Sequence, residues 1–150
     1  MIAKNVQEKV LDIVLRERDP EKAVKYVKEV VKDLKEKKIP ITDVIIHTQL
    51  QKDILDYSSR GPHVAVAQRL KNKGRNISPG TVIKYVVTQG SDTISNRSKL
   101  PEEVSQKDYD ADYYIHNQVV PAVEKILSVL GYTKEELTES HKQKKLEGFF

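Results

Sequence analysis

The stretch VIKYVV, from Val82 to Val87, is the strongest strand signal in the chain. β-branched and aromatic side chains dominate it, and these residues are favoured on a pleated, half-buried surface. Turn-forming residues bound it on both sides, with Ser78-Pro79-Gly80 before it and Gly90-Ser91-Asp92 after it. A second β-rich run, from Val44 to Thr48, predicts another strand, and Thr93 to Ser98 predicts either a returning strand or a loop.

Helical patterns occupy the chain before and between these strands. Apolar residues recur at helical spacing from Ile2 to Val14. Asp19-Pro20-Glu21 then supplies a cap, a first-turn proline and an early acid, which together predict the start of a second helix. Pro62 predicts the start of a third helix, which runs to about Asn72 and ends before Gly74.

The last third of the chain is also predicted to be helical. Asp112 is placed to cap a long helix from Tyr113 to Leu130. Pro121 should bend this helix or make a local break in it, because proline has no N–H to donate. Thr133-Lys134-Glu135-Glu136 is a capping box for one more short helix. Together these patterns predict a predominantly helical α+β fold, with one domain over residues 1–138 and a flexible tail over residues 139–150.

The charge of the chain is distributed unevenly. The net charge is +4, but residues 60–99 carry eight Lys/Arg against one acid, which is a net +7. Residues 100–139 carry three bases against nine acids, which is a net −6. A strongly basic block indicates binding to a polyanion such as nucleic acid, and a solvated surface is the equally open alternative.

Composition excludes several classes of protein. The chain has no cysteine, so disulfides and thiol chemistry are excluded and a cytoplasmic location is expected. No apolar run approaches the ~18 residues of a membrane span, and the first residues lack a signal-peptide pattern. Neither a glycine-rich phosphate-binding motif nor a His/Cys metal cluster is present. The alternating Asp108, Asp110 and Asp112 are compatible with a Mg²⁺ site or with the chemistry of a helix start.

The basic stretch contains candidate contacts for phosphate groups. Arg60 precedes Gly61-Pro62-His63, where the start of a helix leaves backbone N–H groups free to bind phosphate. Lys73 and Arg75 follow at the predicted end of the same helix, and Lys99 closes the stretch. Such contacts would grip a duplex by its backbone, independently of sequence and with strong salt dependence. For His63, a structural contact at the cap is the alternative.

The chain ends in the octapeptide QKKLEGFF, which contains its only two phenylalanines. Leu146 and Phe149 are three residues apart, so one helical turn would place them on one face, with Phe150 beside them. The pattern of Gln143, Leu146, Phe149 and Phe150 resembles the clamp-binding motif (PIP box) by which replication and repair proteins dock on the sliding clamp PCNA. The alternative is that the two phenylalanines fold back onto the domain as a hydrophobic latch.

Four stretches of the chain resemble, in the same order, the C-terminal thumb of archaeal family B (replicative) DNA polymerases. The resemblance extends from about Ile2 to the tail, and the block from Tyr113 to Ala122 is its most specific part. The stretches are GPHVAVA at Gly61–Ala67, ISPGTVIKYVV at Ile77–Val87, ISNR at Ile94–Arg97 and YDADYYIHNQVVPAV at Tyr109–Val123.

This resemblance implies a thumb domain that holds the primer–template duplex behind the polymerase active site by contacts to its sugar-phosphate backbone. His63, Arg97, Asn117 and Gln118 match DNA-facing motifs of the family, although Asn117 and Gln118 taken alone could equally be a solvated helix face. The resemblance also implies that the tail docks the enzyme on PCNA.

Departures from the family limit what this chain could do alone. The palm motifs Asp-Thr-Asp and Ser-Leu-Tyr-Pro-Ser are absent, as are the exonuclease and fingers motifs, so the chain should not polymerise DNA by itself. We expect it to bind no cofactor, with Mg²⁺ held only at the palm of a catalytic chain. Its expected partners are duplex primer–template DNA, PCNA and that catalytic part of the polymerase. Whether it is an excised thumb or the small piece of a split polymerase stays open, and an accessory subunit that docks on the catalytic chain without gripping DNA is the alternative.

Overall fold

The computed structural model describes residues 1–138. These residues form two compact units: a sheet unit, Pro40–Ala111 together with Met1, and a helical unit, Ile2–Ile39 together with residues 112–138. No helix within residues 1–138 is both long and apolar enough to cross a membrane.

The predicted clamp-binding motif lies outside the described residues. The domain boundary after residue 138 and the tail over residues 139–150 therefore stay predictions, as do the roles given to Gln143, Leu146, Phe149 and Phe150.

Helices dominate residues 1–138, and the strands are short. The prediction of a helix-rich chain with a small β element is confirmed. In chain order the elements are α1 (Ile2–Asp12), α2 (Pro20–Lys35), α3 (Ile41–Val44), β1 (Ile46–Gln49), α4 (Pro62–Asn72), β2 (Val82–Val87), α5 (Ile94–Arg97), β3 (Ser98–Lys99), α6 (Ala111–Tyr114), α7 (Val120–Val129) and α8 (Lys134–Thr138), with π-helical turns at Ile13–Glu17 and Ile115–Val119 and 3₁₀ turns at Ile54–Asp56 and Pro101–Glu103.

The sheet unit is built around β2, which confirms the strand predicted from Val82 to Val87. The strand order is β1-β2-β3 and both pairings are antiparallel, with Ile46 opposite Tyr85 and Val86 opposite Lys99. β2 occupies the centre because its Ile83, Val86 and Val87 side chains are fully buried. β1 begins two residues later than predicted, since the chain forms the short helix α3 directly after Pro40.

The returning segment after β2 is mostly helical, so the prediction of a strand or loop from Thr93 to Ser98 is wrong for most of its length. The Thr93 hydroxyl accepts a hydrogen bond from the Asn96 backbone N–H at 3.2 Å and caps α5. A threonine in this position offers the backbone a local partner that a strand would otherwise provide. Ser98 alone of these residues joins the sheet, at the start of β3.

The helical unit confirms the two predicted N-terminal helices. The Asp19 carboxylate accepts a hydrogen bond from the Lys22 N–H at 3.1 Å, and Pro20 occupies the first turn of α2. α2 then buries one apolar face, as its helical periodicity predicted. That face consists of Ala23, Val24, Val27, Val30, Val31 and Leu34.

The predicted long helix at 113–130 is confirmed in extent but not in its start. It begins at Ala111, so Asp112 lies inside the first turn and the prediction that Asp112 is the cap is wrong. At Pro121 the regular helix is locally broken, which is one of the two predicted outcomes. Because Pro121 has no N–H for the fourth preceding carbonyl, the chain forms a π-helical turn in which Val120 donates to the Ile115 carbonyl instead.

Candidate nucleic-acid interface

The start of α4 holds His63 in a partly buried aromatic contact. Gly61 is extended before the helix and Pro62 occupies its first turn, as predicted. The His63 ring meets the ring of Tyr57 edge to face, with centroids 5.4 Å apart and an interplanar angle of 83°. Burial lowers the pKa of His63. The imidazole at this helix start is therefore mainly neutral near pH 7.

Arg60 lies immediately before this helix start, and its side chain is exposed. Its backbone carbonyl accepts a hydrogen bond from the Ser95 hydroxyl at 3.0 Å, which ties α5 to the beginning of α4. The backbone around Arg60 is thus anchored while its guanidinium faces solvent. Arg60 and His63 flank the start of α4, and their predicted contacts with DNA stay predictions.

The other end of α4 exposes a second set of cations. Lys73 is the C-cap residue, and the Arg75 N–H donates to the Leu70 carbonyl at 3.1 Å. Between them, Gly74 has φ +89°, a conformation that side chains with a Cβ rarely adopt and that reverses the chain here. Both predicted residues are exposed, and so is Lys71. An 11-residue helix is about 16 Å long, so these cations and the Arg60–His63 pair are well separated.

The Arg97 side chain, by contrast, forms hydrogen bonds inside the sheet unit. Its guanidinium donates to the Asp92 carbonyl at 2.8 Å, to the Thr88 carbonyl at 2.6 Å and to the Asp110 carboxylate at 2.5 Å. The Arg97 side chain is 14% exposed. A Cβ on Gly90 would lie 3.1 Å from its Cδ, so the absence of a side chain at Gly90 makes room for the arginine.

These contacts give Arg97 a structural task, while its predicted contact with DNA stays a prediction. Arg69, another base of the same stretch, is also engaged by the fold, since its guanidinium donates to the Ser98 carbonyl and links α4 to β3. The two arginines together contribute little exposed positive charge to the sheet unit.

Lys99 lies on β3 and is partly exposed. It lines a cavity of about 360 Å³ together with Thr88, Gln89, Glu103 and Asp108. The negative charges of Glu103 and Asp108 in the same cavity reduce its attraction for a phosphate. Lys99 is thus the least favourable of the basic residues proposed from charge.

Asn117 and Gln118 belong to the helical unit and lie on the π-helical turn. Asn117 is exposed and Gln118 partly so, and neither amide has a hydrogen-bond partner within residues 1–138. The altered turn also changes the direction of both side chains relative to a regular helix. Their predicted contact with DNA stays a prediction.

The three alternating aspartates do not converge. The Asp108 carboxylate accepts from the Ser105 N–H at 2.8 Å, Asp110 pairs with Arg97, and Asp112 is exposed on α6. Within the described part of the chain, no group of three or more His, Cys, Asp or Glu side chains is arranged to hold a metal ion. Turn and ion-pair roles account for Asp108 and Asp110.

The sheet unit as a whole is less basic than residues 60–99, which carry a net charge of +7. Residues 40–111 of this unit contain ten Lys/Arg against eight Asp/Glu, a net charge of +2. The exposed bases of residues 60–99 are Arg60, Lys71, Lys73, Arg75 and Lys84.

The sequence did not point to Tyr57 as a site residue. Its contact with His63 spans a turn, and no periodic pattern in the sequence signals such a contact.

Most of the chain matches the model of one protein family. The model of DNA polymerase family B matches residues 1–130. The chain belongs to DNA polymerase family B. The matched range includes the start and end of α4, the Arg97 network and the π-helical turn with Asn117.

Individual family B relatives match over nearly the whole chain. The DNA polymerase of Thermococcus aggregans is 48% identical over 145 residues, covering 95% of this chain and 8% of that protein. The DNA polymerase of Methanocaldococcus jannaschii is 45% identical over 149 residues, covering 99% of this chain and 9% of that protein. The chain therefore spans less than a tenth of the length of these two family B proteins.

A solved family B structure has the same fold over this region. The family B DNA polymerase from the hyperthermophilic archaeon Pyrobaculum calidifontis aligns with a TM-score of 0.78 and 38% identity. The alignment covers 88% of this chain and 18% of that one. The similarity to family B polymerases is therefore found in the backbone fold as well as in the sequence motifs.

Proposed function

We propose that this chain is the non-catalytic thumb portion of a replicative DNA-directed DNA polymerase. It grips the primer–template duplex by its backbone and tethers the polymerase to PCNA. Membership of family B supports the polymerase context. The observation that carries the grip is the exposure of cations at both ends of α4, where Arg60, Lys71, Lys73 and Arg75 have no ion-pair partner within residues 1–138.

The proposed grip is electrostatic and reads no bases. Lysine and arginine side chains at a helix end contact phosphate oxygens, which carry no sequence information directly. We expect the full chain to bind duplexes of unrelated sequence with equal affinity, measured by fluorescence anisotropy across a salt series. Affinity should fall steeply with salt, because each neutralised phosphate contributes about −0.9 to the slope of log K against log salt. Absence of binding at low salt would contradict the DNA part of the proposal.

The proposed tether is the C-terminal motif. Gln143, Leu146, Phe149 and Phe150 supply an amide and three apolar anchors for a clamp pocket, a short-peptide recognition mode. Coupling a backbone grip to a ring around the same duplex raises the effective concentration of the thumb at DNA. The full chain should bind PCNA in a pull-down, and Phe149→Ala with Phe150→Ala should abolish this. Unchanged binding by the double variant would favour the hydrophobic latch.

The proposal assigns no chemistry to this chain. With Mg²⁺ present, the pure chain should not extend a primer, because the palm carboxylates that would hold the metal belong to the catalytic part of the polymerase. Addition of a family B fragment that contains palm, fingers and exonuclease should be necessary for extension. Metal-dependent extension by the chain alone would overturn this part of the proposal.

A purely protein-binding accessory subunit is the second candidate. Leu55 in the sheet unit is 82% exposed and Leu15 in the helical unit is 70% exposed, and a partner chain that covered them would remove this apolar surface from water. In that case the chain would bind the catalytic fragment tightly and free duplex hardly at all. Measuring both affinities side by side separates the two candidates.

A further inference from the structure

Tyr57 occupies a special position before α4. Its hydroxyl oxygen accepts a hydrogen bond from the Gln51 N–H at 3.0 Å, which fixes the ring to the segment that leaves β1. The Lys52 ammonium lies 5.0 Å from the centroid of the Tyr57 ring. His63 meets the same ring edge to face. The tyrosine is thus held at its hydroxyl and contacts both a cation and the histidine.

We propose that Tyr57 is a positioning residue, which holds the His63 ring at the start of α4 as a neutral hydrogen-bond donor for a duplex phosphate. The inference rests on the proposed function and assigns a role to a residue that neither the motifs nor the charge pattern singled out. A neutral imidazole carries one N–H donor and one acceptor nitrogen. It can therefore donate to a phosphate oxygen without neutralising any charge.

The surroundings of His63 keep its charge low. Burial lowers the pKa of His63, and the Tyr57 ring is one of the groups that cover the imidazole. The positive end of the α4 dipole acts in the same direction. No ion pair to His63 forms within residues 1–138. Besides the adjacent Arg60, the charged groups on the segments packed against α4 are Lys52, Asp53 and Asp56 on the preceding loop, Lys84 on β2, Arg97 on α5, and Lys99 on β3.

This role differs from that of the lysines at the other end of α4. A lysine that contacts a phosphate releases condensed counterions and so contributes to the salt slope. A neutral donor contributes hydrogen-bond energy without that release. His63 and Lys73 should therefore affect duplex binding in ways that can be told apart.

The first experiment tests the positioning by NMR titration of the histidine rings in the free, full chain. Tyr57→Ala should raise the pH at which His63 titrates, because the aromatic ring no longer covers part of the imidazole. Tyr57→Phe keeps the ring and loses only the hydroxyl contact with the Gln51 N–H, so its effect should be smaller. An unchanged His63 titration in Tyr57→Ala would overturn the proposal. If Tyr57→Ala fails to fold, Tyr57→Leu, which keeps much of the side-chain volume without an aromatic face, takes its place with a shift expected in the same direction.

The second experiment tests the donor role by duplex binding across a salt series. His63→Ala should weaken binding several-fold and leave the salt slope unchanged, whereas Lys73→Ala should reduce the slope by about 0.9. An equal loss of slope in both variants would show that His63 acts as a cation and would overturn the proposal. If the wild type binds no duplex, the donor role falls together with the proposed function, while the titration still reports independently whether Tyr57 holds the ring.

Discussion

Two regions of the sheet unit carry basic residues that the fold places in opposite environments. One is the corner between α5 and β3, at Arg97 and Ser98, and the other is the exit of α4, at residues 73–75. At the corner, Arg97 donates to two backbone carbonyls and the Asp110 carboxylate, and its side chain is 14% exposed. At the exit, Lys73 and Arg75 extend into solvent. Local acceptors explain the difference, because an arginine surrounded by carbonyls satisfies its donors inside the protein. The unpaired cations after α4 are therefore better placed to bind a phosphate than an arginine whose donors are satisfied inside the fold.

Removing the corner arginine is the most severe test of this contrast. Arg97→Ala leaves the Asp110 carboxylate without its cation and two carbonyls without a donor. We expect the free energy of unfolding to fall by about 2–3 kcal/mol, less than the loss of a fully buried pair because both side chains keep some exposure. Chemical denaturation measures this loss, and Arg75→Ala is the matched control with an expected change within about 0.5 kcal/mol. Equal stability of the two variants would remove the distinction between the regions.

Removing the exit cations should produce the reverse pattern. Lys73→Ala combined with Arg75→Ala should reduce the salt slope of duplex binding by about 1.8, which is two phosphate contacts. The free energy of unfolding should stay within about 0.5 kcal/mol of the wild type, because both side chains are exposed. Lys25→Ala, an exposed lysine on α2, is the control and should leave the slope unchanged. A similar slope in all three proteins would place the DNA contacts elsewhere.

The smallest expected effect concerns Asp92, at the corner next to Arg97. The Asn96 side-chain amide, and then the Thr93 N–H, hold the pKa of Asp92 below its usual value. Since the folded pKa is lowered, the carboxylate stabilises the fold above its unfolded pKa, and this stabilisation is lost as pH falls through the folded pKa.

Asp92→Asn should therefore lower stability slightly at pH 7 and leave it unchanged in acid, as measured by denaturation at several pH values. Asn96→Ala removes the largest cause of the shift and should shrink the same pH-dependent difference. A constant difference between wild type and Asp92→Asn at every pH would mean that the carboxylate charge plays no part at this corner.

Local signals predicted most of the elements correctly. The cap at Asp19, the proline at 62 and the β-branched run in β2 each act within a few residues, so their effects can be read without the rest of the fold. One error occurred where two local signals competed: Thr93 caps a short helix in a stretch predicted as strand or loop. The bend or local break predicted at Pro121 takes the form of a π-helical turn.

The amino-acid sequence by itself determined the family, the helix-rich fold class and the presence of a basic block, because motifs, caps and periodicity are local properties of the chain. Tertiary structure decided which bases remain available. Asp110 and the Thr88 carbonyl engage Arg97 from 13 and 9 positions away along the chain. Tyr57 meets His63 because a short turn brings the two rings together. Pairing across such distances depends on the packed backbone, so the charge run alone could not separate a structural arginine from an exposed one.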